Sequence, residues 1–332
     1  MKIHIFLLSV LLALGSFAPA QTVFDEAEPL GIAMENYPYP YPVQYFDLEI
    51  EEQDVRMAYM DVKPSGTPNG ETVVLFHGKN FFGAYWEDTI NTLRDNGYRV
   101  VVPDQIGFGK SSKPDIHYSF HLLAQNTKRL LNEIGVQKAT IVGHSMGGML
   151  ATRFALMYPV TTTHLVLENP IGLEDYRIKV PFKTIESAYE GLLQRSEDGI
   201  RNYFKTYFVE WDESYEQFVQ VHYRWTLSGE YPRMAWSMAA TYEMVYTQPV
   251  VHEFPHVKVP TLLVIGQEDR TTLGRGDVSP EVLKTLGQYP ELGKKTAEAI
   301  PNSKLVELDN VGHIPHLSAQ EDFHQALLDY IE

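Results

Sequence analysis

A serine framed by small residues, with a carboxylate and an imidazole downstream at the ends of apolar runs, is the combination in this chain that could do covalent chemistry. The serine is Ser145, in Gly143-His144-Ser145-Met146-Gly147. Ala139-Thr140-Ile141-Val142 before it reads as a short apolar strand, and an amphipathic segment, Met149 to Met157, follows it. A serine on such a strand-to-helix turn is held out at the top of a sheet in a strained backbone, and Gly143 and Gly147 must be small so that strand and helix can approach. The N-terminus of that helix aims free N–H groups at any anion forming beside Ser145. A free hydroxyl is a weak nucleophile at neutral pH, so it needs a base, and the base needs an orienting carboxylate. Both are expected on loops after later strands, in the order serine, acid, histidine. Asp269 lies just past the apolar run Leu262–Ile265, and His313 just past Leu305–Leu308, with Gly312 permitting a tight turn. Glu268 and Glu168 also lie at strand ends and are rival acids.

Strands and helices must alternate to place these groups. Val43–Ile50 and Val55–Val62 read as a strand pair. Thr72–Phe76, Arg99–Pro103, Thr163–Leu167, Thr261–Ile265 and Lys304–Leu308 read as strands. The apolar runs among them, such as Thr72–Phe76, are of the kind buried on both faces of a mainly parallel sheet. Helices are expected over Ala84–Asp95, Phe120–Ile134 and Ala319–Ile331, and a polar loop with a helix over Thr271–Ala299. The alternation stops over residues 170–257, which are crowded with aromatics at helical spacing in places, such as Tyr203, Phe204, Tyr207, Phe208 and Trp211. The pattern is α/β: a doubly wound, mostly parallel sheet with an α-helical insertion. The core is residues 43–169 and 258–332. Ligands of such sheets bind at the carboxyl ends of the strands.

The ends and the composition limit the partners. Met1-Lys2, an apolar run from Ile3 to Leu14 and Ala18-Pro19-Ala20 have the make-up of a secretory signal peptide over residues 1–20, so export to the periplasm or medium is expected. That run is too short for a membrane span. Residues 21–42, with Tyr37-Pro38-Tyr39-Pro40-Tyr41-Pro42, are expected to form an extended arm on the surface. A net charge of −16 without a Lys/Arg run argues against nucleic acid, whose phosphates need a basic face. The absence of cysteine excludes a disulfide framework. His313 and His316 have no acid/His cluster at ligand spacing around them, so no metal is expected. Nothing in the sequence sets the oligomeric state.

Five motifs in order resemble the α/β-hydrolase superfamily over Val43 to Glu332. They are Phe76-His77-Gly78 (oxyanion loop), Asp104-Gln105-Ile106-Gly107-Phe108-Gly109-Lys110-Ser111, the Ser145 elbow, Gly266-Gln267-Glu268-Asp269 (acid loop) and Gly312-His313 (histidine loop). The resemblance implies that Ser145 attacks a carbonyl, His313 moves the proton and Asp269 orients the imidazole, Asp269 being preferred over its rivals because it fits the Gly-x-x-Asp pattern. It implies an oxyanion hole from the backbone N–H groups of Lys79 and Met146. His77 and His144 are expected as buried hydrogen-bonding residues. Lys79-Asn80 places an ammonium and an amide where many relatives are small or apolar. Either Asn80 or Lys79 contacts a polar or anionic part of the substrate, or the Lys79 side chain swings to solvent; Phe81 is a further candidate contact. The insertion sits where the family places its cap, and some of its aromatics should line a mostly apolar pocket for a small molecule. The expected activity is cofactor-independent serine hydrolysis, through an acyl-enzyme, of a small-to-medium, partly hydrophobic ester, thioester, lactone or amide. Carbon–carbon bond hydrolysis, short-peptide aminopeptidase work and a binding protein with little turnover are the alternatives.

Overall fold

The computed structural model describes residues 28–332, so the expected leader, residues 1–20, and the start of the arm, residues 21–27, lie outside the described residues. The strands are β1 (Val43–Ile50), β2 (Gln53–Val62), β3 (Thr72–Phe76), β4 (Arg99–Pro103), β5 (Ala139–His144), β6 (Thr162–Glu168), β7 (Thr261–Gly266) and β8 (Ser303–Leu308). They form one sheet in the order β1-β2-β4-β3-β5-β6-β7-β8. β1 and β2 form an antiparallel hairpin, β2 meets β4 antiparallel, and every other pairing is parallel. The apolar runs account for this: every residue of β3, β5 and β7 is buried, as in strands covered by helices on both faces.

The core helices are α1 (Glu87–Asp95), α2 (Phe120–Glu133) and α3 (Met146–Met157), and the cap helices are α4 (Ile185–Leu193), α5 (Glu197–Lys205), α6 (Glu216–Thr226) and α7 (Tyr231–Thr247). After β7 come α8 (Pro280–Leu283), α9 (Tyr289–Ala299), α10 (Pro315–Ser318) and α11 (Gln320–Ile331). Polar side chains start several of them: Ser119, Thr184, Ser196 and Ser279 each accept a backbone N–H of the first turn. Two expectations on helices are corrected. The stretch 271–299 holds two helices separated by a turn at Gly287, whose φ is +62°. Helix α3 begins directly after Ser145 and is buried almost all round, with no clear polar face, because sheet and neighbouring helix cover it on both sides.

The stretch between β6 and β7 contains no strand and supplies the four cap helices. The described part of the arm is not a simple surface strap: Glu28, Pro29, Glu35, Asn36, Pro38 and Pro42 are exposed, but its apolar side chains turn inward. Leu30, Ile32, Met34 and Tyr37 are buried in an apolar cluster with Phe82 and residues of α6 and α7 such as Val221, Trp225 and Met238. The Tyr-Pro composition suggested exposure, but the apolar side chains between the prolines and acids found a face of the cap to cover.

Candidate active site

Ser145 sits between β5 and α3 with φ +57° and ψ −122°, a conformation that costs energy for a residue with a Cβ. Three backbone bonds hold it there: Ser145 N–H to Glu168 O at 3.1 Å, and Ser145 O accepting from Gly148 at 2.9 Å and Ile171 at 3.1 Å. The flanking glycines are required by contact. A Cβ on Gly143 would lie 2.2 Å from Gly147 O, and one on Gly147 would lie 2.3 Å from Phe76 O. The strand–helix approach therefore fixes the serine, and two later loops bring up its partners. His313 Nε2 is 2.9 Å from Ser145 Oγ, and His313 Nδ1 is 2.7 Å from Asp269 Oδ2. An ionised carboxylate only accepts, so Nδ1 carries the imidazole proton and Nε2 is left to accept from the serine hydroxyl.

Asp269 is 1% exposed, and burial alone pushes its carboxyl upward; His313, Asn169 and Thr271 outweigh this and hold it below the usual carboxylate range. The amide of Asn169 donates to Oδ2 at 2.8 Å and the Thr271 N–H to Oδ1 at 2.7 Å. The rival acids are occupied elsewhere. Glu168 accepts from His316 N–H at 2.7 Å and faces His316 Nδ1 at 2.9 Å, and Glu268 points outward toward Arg270. Asn169 is a residue that sequence reasoning missed. Its position after β6 hinted at a role, but its contact to a residue 100 positions away leaves no local signal.

The oxyanion loop follows β3. Neither the Lys79 nor the Met146 backbone N–H donates to a partner among the described residues, so both remain available beside Ser145. His144 makes bonds to Tyr85 Oη at 3.0 Å and His313 O at 2.8 Å, and His77 bridges Gly78 O and Gln105 N, so both are structural ties. The reading that sends Lys79 to solvent is corrected: its ammonium donates to Met238 O at 2.8 Å and Thr241 Oγ1 at 3.2 Å on α7. Asn80 Nδ2 donates to Tyr207 Oη at 2.7 Å. Phe81 is corrected as a substrate contact. It is 3% exposed and stacks on Tyr85 at 4.7 Å, with Phe204 and Phe218 edge-on, because an aromatic there completes a buried cluster. Tyr207, a cap residue not singled out for the site, lies over the His313 ring at 4.8 Å, and its carbonyl accepts His313 N–H at 2.7 Å.

A cavity of about 480 Å³ opens between Lys79, Asn80, the cap helices α4 and α7, and the loop after Asp269. That volume suits a small molecule. Leu192, Ala188 and Met238 give it the expected apolar wall, but Lys79, Lys183, Arg195 and Arg275 also line it, against one carboxylate, Asp277. Among the described residues no helix is long and apolar enough to cross a membrane.

A mostly parallel, doubly wound sheet with a helical insertion and a serine on a strained strand–helix turn defines a hydrolase-type α/β architecture. Residues 71–320 match the alpha/beta hydrolase fold family, and the chain belongs to it. The family supports an enzyme acting on a small molecule. The chain is 45% identical to a solved structure described as a "probable hydrolytic enzyme" from Pseudomonas aeruginosa PAO1, with a TM-score of 0.90 over 92% of this chain and 99% of that one. It is 23% identical over 290 residues (85% of this chain and 94% of the relative) to a 2-hydroxy-6-oxo-6-phenylhexa-2,4-dienoate hydrolase of Comamonas testosteroni. An esterase from Exiguobacterium antarcticum shares the fold at 18% identity, with a TM-score of 0.67 over 87% of this chain and 99% of that one.

Proposed function

We propose that the protein is an exported serine hydrolase that cleaves a small or medium ester, thioester, lactone or amide through an acyl-enzyme. The observation that carries this reading is the Asp269–His313–Ser145 chain of contacts at 2.7 and 2.9 Å on a strained serine. In this mechanism His313 Nε2 takes the Ser145 proton as Oγ attacks the carbonyl. The alkoxide that forms is met by the N–H groups of Lys79 and Met146, each donor worth roughly 10²–10³ in rate. His313 then returns the proton to the leaving group, which departs and leaves the acyl group on Oγ. Water, deprotonated by the same nitrogen, attacks the acyl-enzyme, and collapse returns the proton to Ser145. Asp269, held ionised by its hydrogen bonds, orients the imidazole and stabilises the imidazolium without taking its proton. Export rests on the composition of residues 1–20.

The test is labelling of the mature chain with a fluorophosphonate, read by intact mass, beside Ser145→Ala. One adduct per chain, lost in the variant, supports an activated serine. A folded wild type that takes up no label, even from a smaller fluorophosphonate, sinks the proposal in favour of a binding protein.

A further inference from the structure

The cavity beside the oxyanion loop carries an excess of positive charge that the proposed hydrolysis does not use. The chain as a whole has a net charge of −16, yet four cations face this one space. Lys183 is neutralised by Asp277 at 2.7 Å, and the other three have no carboxylate partner among the described residues. The Lys79 ammonium is satisfied only by neutral oxygens, Met238 O and Thr241 Oγ1, which leaves its third hydrogen without a described acceptor. Arg195, half-buried at the end of α4, touches the Tyr203 ring at 5.9 Å and makes no side-chain hydrogen bond among the described residues. Arg275 donates to Arg270 O at 3.1 Å. On the same wall the Tyr242 hydroxyl is buried without a described hydrogen-bond partner. The Tyr242 hydroxyl is costly in the absence of an acceptor, since an unpaired buried polar group loses its hydration without compensation, and three part-buried cations with no described carboxylate partner face the same cavity.

We propose that this cavity binds a carboxylate carried by the substrate, with Arg195 and Lys79 as the charged contacts, Arg275 reinforcing them and Tyr242 donating a hydrogen bond. The protein is then selective for esters that bear a negative charge away from the scissile carbonyl. The inference rests on Ser145 as nucleophile for its kinetic consequence, but the anion site itself does not. A guanidinium fork matches the two oxygens of a carboxylate, and such charge-assisted bonds are about twice as strong as neutral ones. Lys79 connects the two functions: its backbone N–H faces the forming alkoxide while its side chain reaches the cap. Burial, with Arg195 adding to it, pulls the Lys79 ammonium down to about 7, so near neutral pH it holds its charge only in part until a carboxylate beside it favours the charged form. The same Arg195 helps to push the buried His222 imidazole down to about 3, burial being the larger cause.

The experiment uses two ester pairs, each a free acid against its methyl ester: the p-nitrophenyl monoester of adipate, with the charge on the acyl side, and 4-acetoxybenzoate, with the charge on the leaving side. The wild type is expected to favour at least one free acid over its methyl ester by about 10- to 100-fold in kcat/KM, in line with one or two charge-assisted bonds. Arg195→Met is expected to abolish that preference, chiefly by raising KM for the free acid. Calorimetric titration of monomethyl adipate and benzoate into Ser145→Ala reads the anion site without turnover. Saturable binding there that Arg195→Met abolishes upholds the carboxylate site even if no ester is cleaved, in which case only the hydrolase reading fails. Equal rates for acids and methyl esters, or a preference that survives Arg195→Met, overturns the inference, and so does the absence of binding in Ser145→Ala.

Discussion

Asn169 joins the two loops that complete the site: its Nδ2 donates to Asp269 Oδ2 at 2.8 Å and its Oδ1 accepts the Gly266 N–H at 2.9 Å. It does this from a left-handed backbone, φ +36°, which asparagine tolerates better than most residues. Asn169→Ala is expected to lower kcat about 10- to 100-fold with little change in KM. The acid limb of the pH–rate profile should move up, because a carboxylate that loses a donor gains proton affinity. An unchanged limb would reduce Asn169 to loop packing. Glu168, the neighbouring residue, makes a different prediction. Burial pushes its carboxyl up to about 7, against the opposing pull of His144 and the His316 backbone N–H. A carboxyl whose folded pKa exceeds its unfolded value holds its proton more tightly in the native state. Stability is then greatest below the unfolded value of about 4.5 and declines as pH rises toward 7, above which the loss is complete. The size of that loss is no more than about 3 kcal/mol. Urea midpoints measured across this window should decline for the wild type and stay flatter for Glu168→Gln; parallel curves would mean that the group stays ionised throughout.

The elements that carry the serine were legible because their signals are local. β3, β5 and β7 are continuous apolar runs, and the glycine at 143 has a steric reason only four residues away, at Gly147, whereas Gly147 itself is pressed against Phe76 of β3. Gly143→Ala tests that reason directly, since its Cβ would meet the Gly147 carbonyl at 2.2 Å and neither backbone can yield cheaply. The variant is expected to lose fluorophosphonate labelling and about 1–3 kcal/mol of stability by urea titration, the usual range for overpacking. Normal labelling would show that the elbow can open without losing the serine's geometry. What the sequence did not disclose is long-range. Lys79 reaches Met238 and Thr241, 159 and 162 positions away, and Tyr207 settles on His313 from the cap. No periodicity encodes such meetings, so the sequence leaves the Lys79 side chain open between substrate and solvent and Tyr207 as one aromatic among many. Phe81 erred the other way. Its place beside Asn80 suggested a ligand contact, while the aromatic cluster beneath the loop absorbed it.

Over the whole molecule, the arm and the cap act as one layer across the carboxyl ends of the strands. Arg224 Nε on α6 donates to Glu28 O at 2.7 Å, Lys110 Nζ in the core donates to Met34 O at 2.7 Å, and Tyr39 Oη donates to Asp104 Oδ2 at 2.6 Å. The arm is thus bonded to the cap at one end and to the core loop at the other, with Leu30, Ile32, Met34 and Tyr37 filling the apolar space between. Composition rich in proline, tyrosine and acids suggested an extended arm on the surface, whereas the described part makes turns at Gly31–Met34 and Met34–Tyr37 and buries its apolar side chains, because burial depends on the face that the cap offers. Met34, fully buried, is the central contact. Met34→Ala is expected to cost about 2–5 kcal/mol, as for other large-to-small changes in a packed core. If the arm serves to hold the cap down, part of that loss will be local. Limited proteolysis should then cut within residues 170–257 before the core unfolds, and KM should rise more than kcat falls. Should the variant instead melt in a single step with the cap as resistant as before, the arm is simply part of one cooperative core. A loss under about 0.5 kcal/mol, the size of an ordinary surface change, would return the arm to the surface role that its composition first suggested.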